Sequence, residues 1–212
     1  MNLSWYKKQE FFKRTTEINN ILFICSGNTC RSPAAEYFFK AKTSWWSGIH
    51  IKSRGLNVDA TIALLKSKGI QIDKLMIEPE CIKVLGKDLS SVLSQHQAIQ
   101  LQEEDIVRAN LILTMERELR DTLRAKYPHF GYKIFTFRGF IEKVDDNSTS
   151  DINVGNPFVP CAIRAKEGVK EGNKKYYTYL HKYGEVIELI KAETRQLIEI
   201  IYAINAALGE KN

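Results

Sequence analysis

The sequence of 212 residues predicts a single α/β domain, in which a central four-stranded parallel sheet is flanked by helices. Short apolar runs alternate with helical patterns along the chain, and this alternation is typical of a parallel sheet that is covered on both faces. The hydrophobic content of 44% is enough to bury a core of that size. We divide the chain into an N-terminal extension, residues 1–19, and one domain, residues 20–212, with an insertion at about 59–77.

The candidate strands are short segments rich in apolar and β-branched residues. They are residues 21–24, 49–53, 110–115 and 132–137.

Helical patterns separate these strands, and the clearest cover residues 33–40, 79–85, 116–126 and 176–208. In the last segment, apolar side chains recur at helical spacing and define one buried face. The members of this face are Val186, Ile190, Leu197, Ile201, Ile204 and Leu208.

Charge and cysteine content limit the kinds of partner and compartment that we expect. The net charge is +6, but basic and acidic residues are interspersed, as in residues 116–121, so we predict neither a nucleic acid nor a membrane partner. No stretch approaches the roughly 18 apolar residues of a membrane span, and the first twenty residues do not resemble a signal peptide. Four cysteines without paired metal-ligand spacing suit a cytoplasmic protein with no metal and no cofactor.

The segment from Cys25 to Ser32 joins the first strand to the first long helix. Cys25 ends the strand, Arg31 follows six positions later, and Pro33 suits the first helical turn, with Ser32 before it as a helix cap. A loop of this length can point its backbone N–H groups at the oxygens of one phosphate, and the helix dipole adds to the attraction. We therefore predict a phosphate-binding loop after the first strand, formed by Ser26, Gly27, Asn28, Thr29, Cys30, Arg31 and Ser32.

The same residue types predict covalent chemistry at this loop. The positive environment stabilises the thiolate of Cys25, which can attack phosphorus to form a phosphocysteine intermediate. Arg31 holds the transferred group, and Ser32 can donate a hydrogen bond to the sulfur. Asn28 shapes the loop, since it tolerates left-handed backbone geometry and its amide can reach neighbouring backbone or Ser53. The alternative is a cysteine that is simply buried at the end of a strand.

Residues 25–33 resemble the signature of the low-molecular-weight protein tyrosine phosphatase family: cysteine, any residue, glycine, asparagine, any residue, cysteine, arginine, serine and proline. The similarity continues through residues 51–55, 89–101 and 111–115 and covers about 25–208. This resemblance implies four parallel strands, a phosphocysteine intermediate and a phosphorylated protein substrate, most often phosphotyrosine. We expect His96, within the second of these stretches, to cap or pack a turn.

One departure from the family concerns its general acid, an aspartate in an Asp-Pro-aromatic motif after the fourth strand. The matching residues here are Asn156, Pro157 and Phe158, and an amide has no titratable proton. General acid catalysis is typically worth about 10² to 10⁴-fold in rate. The nearest carboxylate is Asp151, which we predict as the replacement catalytic acid, and Phe158 is a candidate for lining the pocket.

Other consequences of the missing acid stay open. The enzyme can act on substrates with good leaving groups, including phosphoarginine, because arginine phosphatases of the family carry threonine at the position of Thr29. It can also be a catalytically impaired, phosphate-binding regulator. An arsenate reductase of similar fold would require further cysteines near the loop, and neither Cys81 nor Cys161 fits a recognisable pattern. Nothing in the sequence sets the oligomeric state.

Overall fold

The computed structural model describes residues 1–145, 148, 150, 152–157 and 174–210. Within them, four parallel strands form one sheet in the order β2-β1-β3-β4, which confirms the predicted fold class. The strands are β1 (Asn20–Cys25), β2 (His50–Gly55), β3 (Leu111–Thr114) and β4 (Ile134–Thr136).

Helices occupy both faces of the sheet and the connections between strands. They are α1 (Ser4–Lys8), α2 (Glu10–Arg14), α3 (Arg31–Lys42), α4 (Val58–Ser67), α5 (Pro79–Val84), α6 (Lys87–Leu93), α7 (Glu103–Arg108), α8 (Arg117–Lys126), α9 (Phe137–Glu142) and α10 (Lys174–Gly209). The predicted helices at 33–40, 79–85, 116–126 and 176–208 correspond to α3, α5, α8 and α10.

The predicted strand at 132–137 is too long. A 3-10 helix, Pro128–Lys133, occupies its first positions, and Phe137 already belongs to α9. Thr136 causes this early helix start, because its hydroxyl accepts a hydrogen bond from the backbone N–H of Gly139 at 3.2 Å and caps α9.

Alternate side chains of β1 enter different halves of the core. Phe23 and Cys25 pack in the half that contains α3 and α10, whereas Leu22 and Ile24 pack in the half that contains α7 and α8. Both faces are therefore covered, as a parallel sheet requires. Removing one of these large side chains, as in Phe23→Ala, would cost about 3 to 5 kcal/mol of stability.

The first nineteen residues pack against the domain. Tyr6 is fully buried, and its hydroxyl donates a 2.9 Å hydrogen bond to the carbonyl of Phe140. The Phe11 ring lies edge-on to Phe135, with their centroids 5.7 Å apart. Helices α1 and α2 thus cover the β4 and α9 end of the core.

The long helix α10 buries most of the predicted apolar face. Five of its six members are inaccessible or nearly so, namely Ile190, Leu197, Ile201, Ile204 and Leu208, whereas Val186 is only partly buried. Among the described residues, no helix has both the length and the apolar character needed to cross a membrane.

Candidate active site

The loop after β1 lies at the carboxyl edge of the sheet, where Cys25 is in register with Gly55 of β2. Gly55 lies very close to the loop: a Cβ added there would lie 2.5 Å from Cγ2 of Val58 and 2.9 Å from the carbonyl oxygen of Ser26. The ends of β1 and β2 can approach this closely only because residue 55 lacks a side chain. Asn57 strengthens the contact, since its backbone N–H donates to the Ser26 carbonyl at 2.9 Å.

The loop presents several backbone donors next to the start of α3. In the part of the chain that the structure describes, the N–H groups of Ser26, Gly27, Thr29 and Cys30 donate to no protein acceptor. The first N–H groups of α3 also lack acceptors within the helix. Donors at the positive end of a helix dipole attract an anion of phosphate size.

The sulfur of Cys25 is buried and accepts two hydrogen bonds from the same loop. One comes from the hydroxyl of Ser32 at 3.1 Å, as predicted, and the other from the backbone N–H of Asn28 at 3.2 Å. Both donors come from the loop itself, so the loop fixes the position of the sulfur.

Ser32 does not cap α3, which corrects the sequence-based prediction. The helix begins at Arg31, with Cys30 in the cap position, so Ser32 lies inside the first turn. Its hydroxyl is engaged by the Cys25 sulfur instead. Pro33 lies in the first turn, as predicted.

Asn28 holds the loop in shape from its centre. It is fully buried and has a left-handed backbone with φ of 54°. Its side-chain amide donates to the hydroxyls of Ser32 and Ser53, both at 3.0 Å, while its side-chain oxygen accepts from the backbone N–H of Ile99 at 3.0 Å. The predicted loop-shaping role and the contact with Ser53 are confirmed.

His96 contacts the loop directly, beyond the turn-packing role that we expected. Its Nε2 lies 3.1 Å from the side-chain oxygen of Asn28 and 3.2 Å from the Asn28 carbonyl oxygen. Burial lowers the pKa of His96, so the ring is neutral and its Nε2–H donates to Asn28. His96 therefore supports the loop without adding a positive charge.

Arg31 is 3% exposed and is held by groups that follow β3. Its Nη1 donates to a carboxylate oxygen of Glu116 and, at 2.9 Å, to the carbonyl oxygen of Val154. Glu116 is not among the site residues that we predicted from the sequence. Its position just after a strand of a parallel sheet is the signal that could have found it, since such sites form at the carboxyl ends of strands.

Thr29 connects the loop to the start of α5 and to α10. Its hydroxyl donates to Oε1 of Glu78 at 2.8 Å, and the backbone N–H of Glu78 donates to the Thr29 carbonyl at 3.0 Å. The Tyr183 hydroxyl donates to Oε2 of the same carboxylate. Burial, together with Glu78, raises the pKa of Tyr183, so this phenol stays a donor. Glu78, 49 positions from Thr29, carries no local sequence signal of a site.

Cys81 of α5 lies beside the loop, although its sequence spacing gives no indication of this. The thiols of Cys30 and Cys81 share a hydrogen bond, which, together with burial, raises the pKa of Cys30 well above its ordinary value. Cys25, Cys30 and Cys81 are all free thiols, and Cys161 lies outside the described residues.

The segment that leads to Asn156, the residue that aligns with the family's acid, lies beside the residues that follow β3. The backbone N–H of Val154 donates to the Met115 carbonyl at 2.8 Å, and the backbone N–H of Arg117 donates to the Asn153 side chain at 2.7 Å. Asn156 is exposed at the end of this segment. Two predicted site residues, Asp151 and Phe158, lie outside the described residues.

A cysteine sulfur inside a ring of N–H donors, next to a buried arginine, defines the class of cysteine-dependent phosphatases. Comparison with known families agrees, because the model of the low molecular weight phosphotyrosine protein phosphatases matches residues 20–210. The chain belongs to this family and is a cysteine-dependent protein phosphatase, whose substrates are phosphorylated proteins.

Curated relatives include two kinds of phosphatase. A protein-arginine-phosphatase of Geobacillus stearothermophilus is 28% identical over 145 residues, which are 65% of this chain and 78% of the relative. The low molecular weight protein-tyrosine-phosphatase PtpB of Staphylococcus aureus is 28% identical over 174 residues, which are 80% of this chain and 93% of the relative.

Solved structures show the same fold. The low molecular weight protein tyrosine phosphatase of T. tengcongensis has a TM-score of 0.59 and 28% identity, covering 84% of this chain and 97% of that one. The arginine phosphatase YwlE of Geobacillus stearothermophilus also has a TM-score of 0.59, with 22% identity over 86% of this chain and 92% of that one, a likeness of fold alone.

Proposed function

We propose that the protein removes phosphoryl groups from phosphoprotein, phosphotyrosine first among them, through a phosphocysteine intermediate on Cys25. The observation that carries this proposal is the pair of hydrogen bonds from Ser32 and Asn28 to the Cys25 sulfur. In the first step the S–P bond forms, the bond from phosphorus to the leaving oxygen breaks, and that oxygen takes up a proton. In the second step water attacks phosphorus and loses a proton, the S–P bond breaks, and the thiolate and free phosphate are restored.

Arg31 and the loop donors bind the phosphoryl group in this proposal. The guanidinium has five N–H donors, and the contacts with Glu116 and Val154 use Nη1. These contacts fix the plane of the forked guanidinium group, so that its other N–H groups can donate to the phosphoryl oxygens. The fixed fork stabilises charge that develops in the transition state.

Asp151 is our proposed general acid, and Phe158 our proposed pocket residue. Arg117 supports the first assignment, because its Nη2 donates to the carbonyls of Ser148 and Ser150, at 2.8 and 3.2 Å. The chain next to Asp151 is thereby tied to the start of α8, which follows β3 directly. In this scheme Asp151 supplies the proton to the leaving group, so residue 156 need not transfer one and can be an asparagine.

Two other functions have a specific observation in their favour. A protein-arginine phosphatase is supported by Thr29 and by the relative from Geobacillus stearothermophilus. A phosphate-binding regulator with weak turnover is supported by the amide of Asn156. For any of the three, we place the protein in the cytoplasm, where the free thiols of Cys25, Cys30 and Cys81 persist.

Hydrolysis of para-nitrophenyl phosphate and of a phosphotyrosine peptide, by wild type and by Cys25→Ser, tests the proposal. We expect turnover by wild type and none by Cys25→Ser, which should still bind inorganic phosphate because the N–H donors remain. Circular dichroism checks that the variant is folded. Near-wild-type turnover by Cys25→Ser would exclude the phosphocysteine mechanism, and phosphate binding without turnover by wild type would favour the regulator.

A further inference from the structure

We propose that Asn57, the residue before α4, is a positioning residue for phosphoryl transfer: it holds the Ser26 carbonyl outward and so turns the Gly27 N–H towards the bound phosphoryl group. This inference rests on the proposed function, because it concerns how the same phosphate-binding loop is held. It starts from two hydrogen bonds between Asn57 and one loop residue. The backbone N–H of Asn57 donates to the Ser26 carbonyl at 2.9 Å, and its side-chain amide donates to the Ser26 hydroxyl at 3.0 Å.

The direction of each loop N–H follows from what the carbonyl of the same peptide unit binds. The loop peptides are trans, so the C=O and N–H bonds of one unit point in opposite directions. Four loop carbonyls bind groups outside the loop: those of Cys25, Ser26, Asn28 and Thr29 lie 2.9 to 3.2 Å from the backbone nitrogens of Leu56 and Asn57, Nε2 of His96 and the backbone nitrogen of Glu78, in that order.

The N–H groups of the same four peptide units belong to Ser26, Gly27, Thr29 and Cys30. These are the loop donors that have no acceptor within the described part of the chain. They point away from the elements that surround the loop and therefore towards its interior, where a phosphoryl group would bind.

The peptide between Ser26 and Gly27 is the one that most needs an external hold. Glycine accepts a wide range of φ, so Gly27 itself does little to prevent this peptide from rotating. A rotated peptide would present its carbonyl oxygen to the phosphoryl group in place of an N–H donor. The hydrogen bonds from Asn57 to the Ser26 carbonyl and hydroxyl oppose that rotation.

Asn57 has the position of a helix cap but not its hydrogen bond. Asparagine is among the preferred capping residues, and Asn57 directly precedes α4. Its side chain makes no capping hydrogen bond, however, and reaches the Ser26 hydroxyl instead. The helix starts from the Asn57 backbone, whose carbonyl accepts from the N–H of Thr61 at 3.0 Å. Replacing the side chain should therefore affect the loop and leave α4 intact.

The test is a double-mutant cycle of Asn57→Ala and Ser26→Ala. Calorimetry measures the affinity for inorganic phosphate, and para-nitrophenyl phosphate gives kcat and KM. We expect Asn57→Ala to weaken phosphate binding and raise KM by about three- to tenfold, with kcat within about twofold, because the Gly27 N–H binds the phosphoryl group in both ground and transition states. In the Ser26→Ala background, Asn57→Ala should add less than about twofold, since its partner hydroxyl is absent.

Two controls accompany the cycle. Asn2→Ala, at another exposed asparagine, should change neither phosphate affinity nor KM. Urea unfolding should give the same stability for Asn57→Ala and wild type, whereas loss of a helix cap would lower stability equally with and without the Ser26 hydroxyl. Equal losses of phosphate affinity from Asn57→Ala in both backgrounds would overturn the inference.

A second measurement uses the wild-type chain and does not depend on folding of a variant. In NMR spectra, the backbone N–H resonance of Gly27 should move on titration with inorganic phosphate, together with those of Ser26 and Thr29. A Gly27 resonance that stays in place while the other two move would overturn the inference alone. Wild type that neither binds phosphate nor hydrolyses para-nitrophenyl phosphate would instead contradict the proposed function.

Discussion

The hydroxyl oxygen of Ser32 lies 3.1 Å from the Cys25 sulfur and 3.3 Å from the carbonyl oxygen of Arg54. Asn28 donates to the same hydroxyl, so the single hydroxyl proton must point to one of these two acceptors. A thiolate is the better acceptor because it is charged. The Ser32 hydroxyl therefore stabilises the sulfur most when the sulfur is a thiolate, which is before it attacks phosphorus and after the S–P bond breaks.

Ser32→Ala should slow turnover of para-nitrophenyl phosphate by about tenfold or more, since hydrogen bonds to charged groups are worth roughly 1.5 to 3 kcal/mol. The loss should fall largely on breakdown of the phosphocysteine, in which the thiolate leaves. Rapid-mixing kinetics would then show a burst of nitrophenol followed by a slow steady rate. Ser67→Ala, on the exposed side of α4, should behave as wild type, and an identical time course for both variants would contradict this role.

Arg31→Lys should lower kcat/KM for aryl phosphates by about 100-fold or more, because a point-charge ammonium cannot reproduce the planar fork that Glu116 and Val154 orient. Binding of inorganic phosphate, measured by calorimetry, should weaken as well. Arg14→Lys exchanges the same residue types at an exposed ion pair with Glu10 and should leave both values unchanged. Wild-type kinetics in Arg31→Lys would show that the fork has no part in catalysis.

The sheet and the phosphate-binding loop could be predicted because their signals are local. A short apolar run, a cysteine, an arginine six positions later and Pro33 stand together in the chain and specify strand, loop and helix. The helix cap was misplaced at Ser32, because a serine before a proline is an ordinary cap, whereas here its hydroxyl bonds the Cys25 sulfur.

The supporting residues could not be predicted because each reaches the loop from a distant part of the chain. Glu78, His96 and Glu116 are 49, 68 and 85 positions from the loop residues that they contact. Nothing near Glu78 in the sequence distinguishes it from a surface residue, and His96 was expected only to cap or pack a turn. Glu116 is marked only by its position just after a strand, which many residues without a role in the site share. They contact the phosphate-binding loop only because the fold brings β1, α5 and the segment after β3 together at one edge of the sheet.

Stability should fall as pH rises from about 4.5 to 7, through Glu193 on α10. Burial raises the pKa of its carboxyl from 4.5 to about 7, although Arg138 bonds one oxygen at 2.8 Å and is shared with Glu142. The folded state thus binds more protons than the unfolded state between these pH values. The stabilisation that the protonated Glu193 carboxyl gives to the folded state is therefore complete below pH 4.5 and lost above pH 7. Urea unfolding at several pH values measures this slope.

Glu193→Gln should flatten that slope, because glutamine does not titrate. Glu188→Gln, at an exposed position of the same helix, should retain the wild-type slope. If Glu193→Gln and wild type change in parallel between pH 5 and 7, then the carboxyl does not titrate abnormally in the folded protein.

Asn156→Asp tests whether residue 156 occupies the position of the family's general acid. The new carboxyl could protonate the leaving oxygen, which lowers the barrier most where that oxygen is basic. We therefore expect turnover of phenyl phosphate, which has a poor leaving group, to rise by about tenfold or more. Para-nitrophenyl phosphate, whose leaving oxygen needs little protonation, should gain less.

Asp151→Asn in the wild-type background is the opposing test, because it removes the carboxylate that we propose as the replacement acid. If Asp151 supplies the proton, this variant should lose most of its activity on phenyl phosphate and less on para-nitrophenyl phosphate, and the acid-dependent limb of its pH profile should disappear. In the double variant, Asn156→Asp should restore activity if residue 156 has the right geometry. A gain from Asn156→Asp without a loss in Asp151→Asn would mean that the wild-type enzyme works without a general acid, and so is limited to substrates whose leaving groups depart unprotonated.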